Sequence, residues 1–253
     1  MRFEDVRRTL PRHGTKRFLR RRVSGIKGIV LHQTAGGDSV FRCASYHTGP
    51  NHVCPNGCPG LLYTFFVDQA GRVYWANDLE AATYSQGGKG TPIPGTSPNA
   101  HFLAIVCGGD FDGPTYTGDD RSPSALQLHA VLELVLHLTG ERQSESIPSE
   151  LYEVLSAAQG QIYGHAQFGK ANCPGLVLQA IADGIRSRTE DQGRKWTARD
   201  YQEALERHGY IKATEVDGVW GPVSRGALTR FQSDHDLEPD GLRGPLTRAR
   251  LME

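Results

Sequence analysis

The chain has no net charge and no long apolar run. Its 253 residues carry 28 lysines and arginines against 28 aspartates and glutamates, a balance that argues against bulk nucleic-acid binding. No segment joins a basic start to the continuous apolar stretch of a secretory leader. Charges continue to Arg22, and the run Gly28-Ile29-Val30-Leu31 is far too short to cross a membrane. Synthesis in the cytoplasm without a signal peptide, and no membrane insertion, are therefore expected. Cysteine is scarce and odd in number: five residues, which cannot all pair within one chain.

What is present sets the scale. A hydrophobic fraction of 38% is enough for a core and excludes wholesale disorder. The length suits one medium domain and one small one. Charge is unevenly placed. Residues 1–28 hold Arg2, Arg7, Arg8, Arg12, Lys16, Arg17, Arg20, Arg21, Arg22 and Lys27 against only Glu4 and Asp5. The simpler expectation is a solvated basic arm over residues 1–25; the rival is a patch for an anionic polymer.

Periodicity predicts the elements. Residues 26–31 read as a buried strand. Residues 61–67 read as a second, turning at Asp68-Gln69-Ala70-Gly71 into a return strand Arg72-Val73-Tyr74-Trp75. His101 to Cys107 is a further β-rich run. Ser124 to Leu138 and Leu176 to Arg188 carry helical spacing. This mixture predicts an α/β fold, a central mixed β-sheet flanked by helices. Residues 190–196 are polar and aperiodic and read as a linker between a domain at 1–189 and another at 197–253. The second contains a repeat: Asp217-Gly218-Val219-Trp220-Gly221-Pro222 returns 23 residues later as Asp240-Gly241-Leu242-Arg243-Gly244-Pro245. Each copy is an Asp-Gly turn and a Gly-Pro step that opens a helix. With Ala198 to His208 ahead of them, they predict a small three-helix bundle.

Three residues carry the chemistry: His32 at a strand end, His165 in Tyr163-Gly164-His165, and Cys173 eight residues on in Asn172-Cys173-Pro174-Gly175. Two imidazoles and one thiolate suit Zn²⁺, and three protein ligands leave the fourth position open, the catalytic pattern. A lone His at a strand end is more often a surface or capped residue, so spacing alone does not decide. The segment 41–60 adds Cys43 and His47, spaced i, i+4, with Cys54 and Cys58 after them. Three readings stand open there: a second, structural zinc on these four residues, one disulfide with a spare thiol, or free cysteines.

In order along residues 26–186, the strand ending in His32, the run Tyr63-Thr64-Phe65-Phe66-Val67-Asp68 with its Gly71 turn, the stretch from Asn99 to Gly109, and the block from His165 to Gly175 resemble the type 2 N-acetylmuramoyl-L-alanine amidases and peptidoglycan recognition proteins, in the phage lysozyme-type branch. Residues 197–252, with the doubled Asp-Gly-x-x-Gly-Pro signature, resemble a peptidoglycan-binding domain. The resemblance implies zinc on His32, His165 and Cys173 and hydrolysis of the lactyl–L-alanine amide of peptidoglycan. It also implies Tyr63 as an oxyanion donor, and the presence of Cys173 favours an enzyme over a non-catalytic receptor on the same fold. Two places depart from the family pattern. Ala171 stands where a Lys or Thr is common, which leaves Lys170 as the candidate, and Val106 stands where many members carry a glutamate. The expected role is a bacteriolytic, antimicrobial wall hydrolase of the endolysin kind, a monomer. Its partner is peptidoglycan, reached after release by phage lysis or a non-classical export route.

Overall fold

A computed structural model of the chain describes residues 1–87, 91–111, 122–158, 161–190, 196–235, 237–243 and 245–252. The strands are β1 (Arg2–Asp5), β2 (Leu19–Arg20), β3 (Gly28–Gln33), β4 (Phe65–Val67), β5 (Arg72–Trp75), β6 (Ala81–Ala82), β7 (Phe102–Cys107) and β8 (Ile162–Gly164). The helices are α1 (Val40–Thr48), α2 (Pro98–His101), α3 (Ala125–Leu138), α4 (Leu176–Glu190), α5 (Ala198–Arg207), α6 (Pro222–Asp234) and α7 (Pro245–Leu251). Six strands form one sheet in the order β1-β5-β4-β7-β3-β8, and β2 pairs with β6 apart from it. Every pair in the large sheet is parallel except the β4–β5 hairpin. The mixed sheet with flanking helices is thus the expected class.

Every residue of β3 and β7 is buried, which is why both read as unbroken apolar runs rather than as alternating ones. Alternation still sorts their side chains between two faces. Ile29, Leu31, Leu103, Ile105, Phe65 and Val67 pack with Val131, Leu134 and Leu138 of α3 and Leu178, Ala182 and Ile185 of α4. Phe66, Tyr74 and Val106 turn to the other face, toward Val40 and Ala44 of α1. By parity His32 faces the α1 side. The hairpin turn needs Gly71: its φ is +73°, and a Cβ there would lie 2.7 Å from the Leu126 carbonyl oxygen. Ser124 caps α3 in a reciprocal pair with Gln127.

Residues 1–25 are not a solvated arm. β1 forms the sheet edge in parallel register with β5, Phe3 opposite Val73, and β2 pairs with β6. Arg21 is only 9% exposed. Its Nε donates to the Leu79 carbonyl at 2.9 Å, and its Nη1 to the carbonyls of Asn99 and Phe102. Burial pushes its pKa down to about 10, against the pull of Glu80. The arm reading failed because backbone acceptors, invisible in composition, hold this cation inside.

The C-terminal segment closes on Tyr201, Leu205, Leu228, Phe231 and Leu251. Two buried glutamines lock its repeated turns. Gln202 Nε2 donates to Asp217, the Val219 carbonyl and Ser224, while its Oε1 accepts from the Gly218 N–H. Gln232 repeats the set with Asp240, Leu242, Thr247 and Gly241. Of the expected linker at 190–196, residues 191–195 lie outside the described residues, and α4 runs through residue 190.

Arg21→Ala should test the integration of the N-terminal segment. Removing donors from buried carbonyls costs about 3 kcal/mol, equivalent to a fall in melting temperature of roughly 6–12 °C. An unchanged melting temperature by calorimetry would return residues 1–25 to the status of a dispensable arm.

Candidate metal centre

Parallel strands bring their carboxyl ends to one side of a sheet, where sites of this architecture assemble. β3 and β8 are parallel with Leu31 beside Gly164, so His32, next on β3, and His165, next after β8, project from neighbouring strand ends. Their ring centroids are 4.4 Å apart. Cys173 arrives on the loop before α4. A ligand atom from each of His32, His165 and Cys173 lies within 4.8 Å of the others. His32 Nδ1 is 3.8 Å from Cys173 Sγ.

Both imidazoles are buried, and the Nε2 atom of each has no hydrogen-bond partner. Leaving two such atoms orphaned is costly unless each meets a partner that the chain itself does not supply. Burial, and then mutual repulsion with His165, holds the His32 pKa well below its ordinary value. Burial, followed by the charge of Lys170, pushes that of His165 down to about 4. Both rings are therefore neutral, the state a metal ligand requires. A backbone hydrogen bond with Gly87 pulls the other way on His165 and is outweighed.

Gln33, which sequence reasoning passed over, holds the thiol loop. Its Nε2 donates to the Asn172 carbonyl at 2.7 Å, its backbone N–H meets Cys173 Sγ at 3.5 Å, and its Oε1 accepts from the Phe111 N–H. Gly175, at φ +87°, lets Phe111 lie against the same loop: a Cβ there would be 2.8 Å from Phe111 Cβ. Tyr63 stands half-buried beside the centre, its ring 5.2 Å from His32. Burial, then the neighbouring Cys173 and Cys43, raises its pKa, so the phenol keeps its proton. Lys170 is exposed at the rim, and its carbonyl accepts from the Cys173 N–H at 2.8 Å. Val106 is the β7 partner of His32, so that strand offers no carboxylate there.

The second zinc does not stand. Cys54 and Cys58 are bonded to each other with Cα atoms 5.3 Å apart, so neither sulfur is available as a thiolate. Cys43 is a free thiol on which burial, then Asp38, pushes the pKa up to about 11. His47 is buried in the wall behind Tyr63, rings 5.9 Å apart, and its Nδ1 accepts from the Leu62 N–H. Of the three readings open for this segment, one disulfide with a spare thiol is the one observed. Helical spacing put Cys43 and His47 on one face as expected; the Cα separation that decides the bridge is not written in the spacing.

Residues 21–176 match the family model of N-acetylmuramoyl-L-alanine amidase, and residues 198–251 match that of a peptidoglycan binding domain. Among solved structures, peptidoglycan recognition protein-LE in complex with tracheal cytotoxin aligns with a TM-score of 0.51 at 17% identity, covering 72% of this chain and 92% of that one. The Ph2119 endolysin from Thermus scotoductus MAT2119 bacteriophage Ph2119 aligns with a TM-score of 0.45 at 21% identity, covering 73% and 99%. At 17% identity the likeness to the recognition protein is one of fold alone. A protein of Kitasatospora aureofaciens described as an uncharacterized protein in the bpoA1 3' region is 49% identical over 37 residues, 15% of this chain; the match spans 31% of that relative's length.

The neutral histidines make the metal-free protein acid-sensitive. His165 and His47 titrate near 4 when folded and near the ordinary 6.5 when unfolded, and His32 is lowered in the same direction. The unfolded state then binds more protons between these values. Stability is full above about pH 6.5 and falls as pH drops toward 4, by up to about 1.4 kcal/mol per pH unit for each group. Melting of the apo-protein across pH 7.5 to 4 measures this; a flat profile from 6.5 to 5 would contradict neutral, buried imidazoles.

Proposed function

Because the chain belongs to the N-acetylmuramoyl-L-alanine amidase family, we propose that it hydrolyses the amide between the muramoyl lactyl group and L-alanine of bacterial peptidoglycan, with zinc held by His32, His165 and Cys173. The observation that carries this reading is the convergence of two buried imidazoles and a thiol at the ends of β3 and β8, a ligand atom of each within 4.8 Å of the others. The donor set of two nitrogens and one sulfur fits zinc and leaves a position free. When bound, zinc supplies Lewis acidity, acidifying water and polarising the carbonyl.

The chain's own residues do the rest. Gly87 and Gln33 hold His165 and Cys173 in place. Tyr63, kept protonated, donates a hydrogen bond to the carbonyl oxygen as it gains charge. Lys170 sets a positive charge at the rim of the same centre. Water oxygen bonds to the carbonyl carbon, the C–N bond breaks, and the amine of L-alanine leaves carrying a proton. The receptor alternative has no use for a third ligand, whereas here Gln33 fastens the loop that carries Cys173.

We divide the chain into a catalytic domain over 1–189 and a wall-binding bundle over 197–253, joined at 190–196. The pairing of a cutting head with a binding tail suits a bacteriolytic enzyme of the endolysin kind, acting as a monomer. Among the described residues no helix is long and apolar enough to cross a membrane.

Mass analysis of digested peptidoglycan should show new L-alanine amino termini, lost on chelation and restored by zinc. Cys173→Ser should nearly abolish cleavage together with zinc content, since a hydroxyl is a poor substitute for thiolate. Tyr63→Phe should retain zinc and lose about 100-fold to 1,000-fold in turnover; wild-type turnover in that variant would reduce Tyr63 to a packing residue. Binding of intact wall without release of any amino terminus by the parent protein would favour the receptor. Deleting residues 190–253 should weaken wall pull-down while sparing hydrolysis of small soluble muropeptides, unless the division into two domains is wrong.

A further inference from the structure

The N-terminal segment walls a cavity of about 620 Å³ that contains none of the three ligand residues. Five arginines line it, Arg7, Arg8, Arg12, Arg17 and Arg20, against one carboxylate, Asp78. Arg7 is neutralised within the protein, 2.7 Å from Asp78 and 2.7 Å from Asp5. None of the other four forms an ion pair among the described residues. Two of them are nevertheless held in place. Arg12 Nη2 donates to the Ala76 carbonyl at 2.6 Å and its Nη1 donates to Asn77 Oδ1. Arg17 Nη1 donates to the carbonyl of Lys16 at 2.7 Å. Neutral acceptors orient a guanidinium without cancelling its charge. Arg8 and Arg20 are exposed at the rim, and their side chains make no hydrogen bond among the described residues.

Four like charges around one concavity repel each other, and that repulsion is relieved when an anion enters. The guanidinium fork matches the paired oxygens of a phosphate. Between the arginines Phe18 supplies an apolar wall, its ring set edge-on to Tyr84 at 5.2 Å. Charge alternating with an apolar surface suits a chain whose phosphates are separated by short uncharged carbon spacers. The size suits a segment of one flexible strand, within the range of small-ligand cavities.

We propose that this arginine pocket is a second wall-contact site, which takes the phosphodiester backbone of an anionic polyol-phosphate polymer of the cell envelope. The chemistry of the ligand follows from the pocket alone; only its location in the wall rests on the amidase reading. Held there, the polymer would tether the catalytic domain independently of the C-terminal bundle.

The test is titration of the full-length zinc-loaded chain with soluble poly(glycerol phosphate), with polyglutamate and a single-stranded oligodeoxynucleotide of equal charge alongside. Saturable binding is expected, tightest for poly(glycerol phosphate). The Arg8→Gln, Arg20→Gln double variant should weaken it about 10-fold or more and lower the salt slope by about two. Arg22→Gln with Lys27→Gln removes the same charge outside the pocket and should leave affinity unchanged. Equal weakening in both double variants, no weakening in the first, or equally tight binding of the oligodeoxynucleotide or polyglutamate would overturn the proposal. None of these readouts uses hydrolysis: a chain that binds the polymer but cuts no amide would refute the amidase reading alone.

Discussion

The parallel pairing of β3 with β8 is the contact on which the site depends. It sets Leu31 beside Gly164, and the next residue along the chain from each is a histidine. Slipping that register by one residue would send His32 to the α3 face of the sheet, among Leu134 and Leu138. The pairing is short, three residues of β8, and it is supported from outside. α4 packs Leu178 and Ala182 into the core beneath it, and Arg186 donates to the Ile162 carbonyl at 3.0 Å. The core on one face thus holds the geometry displayed on the other.

Around that pairing, the polar contacts divide the labour. Gln33 shares a strand with His32 but points to the thiol loop, so a single strand end positions two of the three ligands. Gly87 does the same for His165 from a segment far away in sequence. Neither contact calls for a charged partner, and both rings stay neutral because burial and the neighbouring positive groups, His165 for His32 and Lys170 for His165, push in the same direction. Charge is placed instead at the periphery, with Lys170 at the rim.

Long apolar runs and helical periods were legible because burial on both faces, or on one stripe, writes itself into composition. That is how β3, β7, the β4–β5 hairpin, α3 and α4 could be read, and the repeated Asp-Gly turns with them. His32, His165 and Cys173 were visible as residues, but their convergence was not, since it depends on strand order. β1 and β8 escaped notice because three or four residues are too few to show a period. Arg21 was misread with its neighbours, for its partners are main-chain carbonyls that no side-chain pattern reports. Gln202 and Gln232 look like ordinary helix polars until the turns they clasp are in place. The Cys54–Cys58 bridge turned on a distance across a loop.

The parallel union of β1 with β5 also imposes an order of events during synthesis. Arg2–Asp5 leaves the ribosome well before its partner, Arg72–Trp75. That strand, with the basic segment behind it, must therefore wait, unpaired, until some seventy further residues have been polymerised. A hairpin edge could have closed at once; this one cannot. Nascent fragments that stop short of Arg72 carry an unattached cationic segment, and this edge strand is made before the strand it needs and can pair only after it.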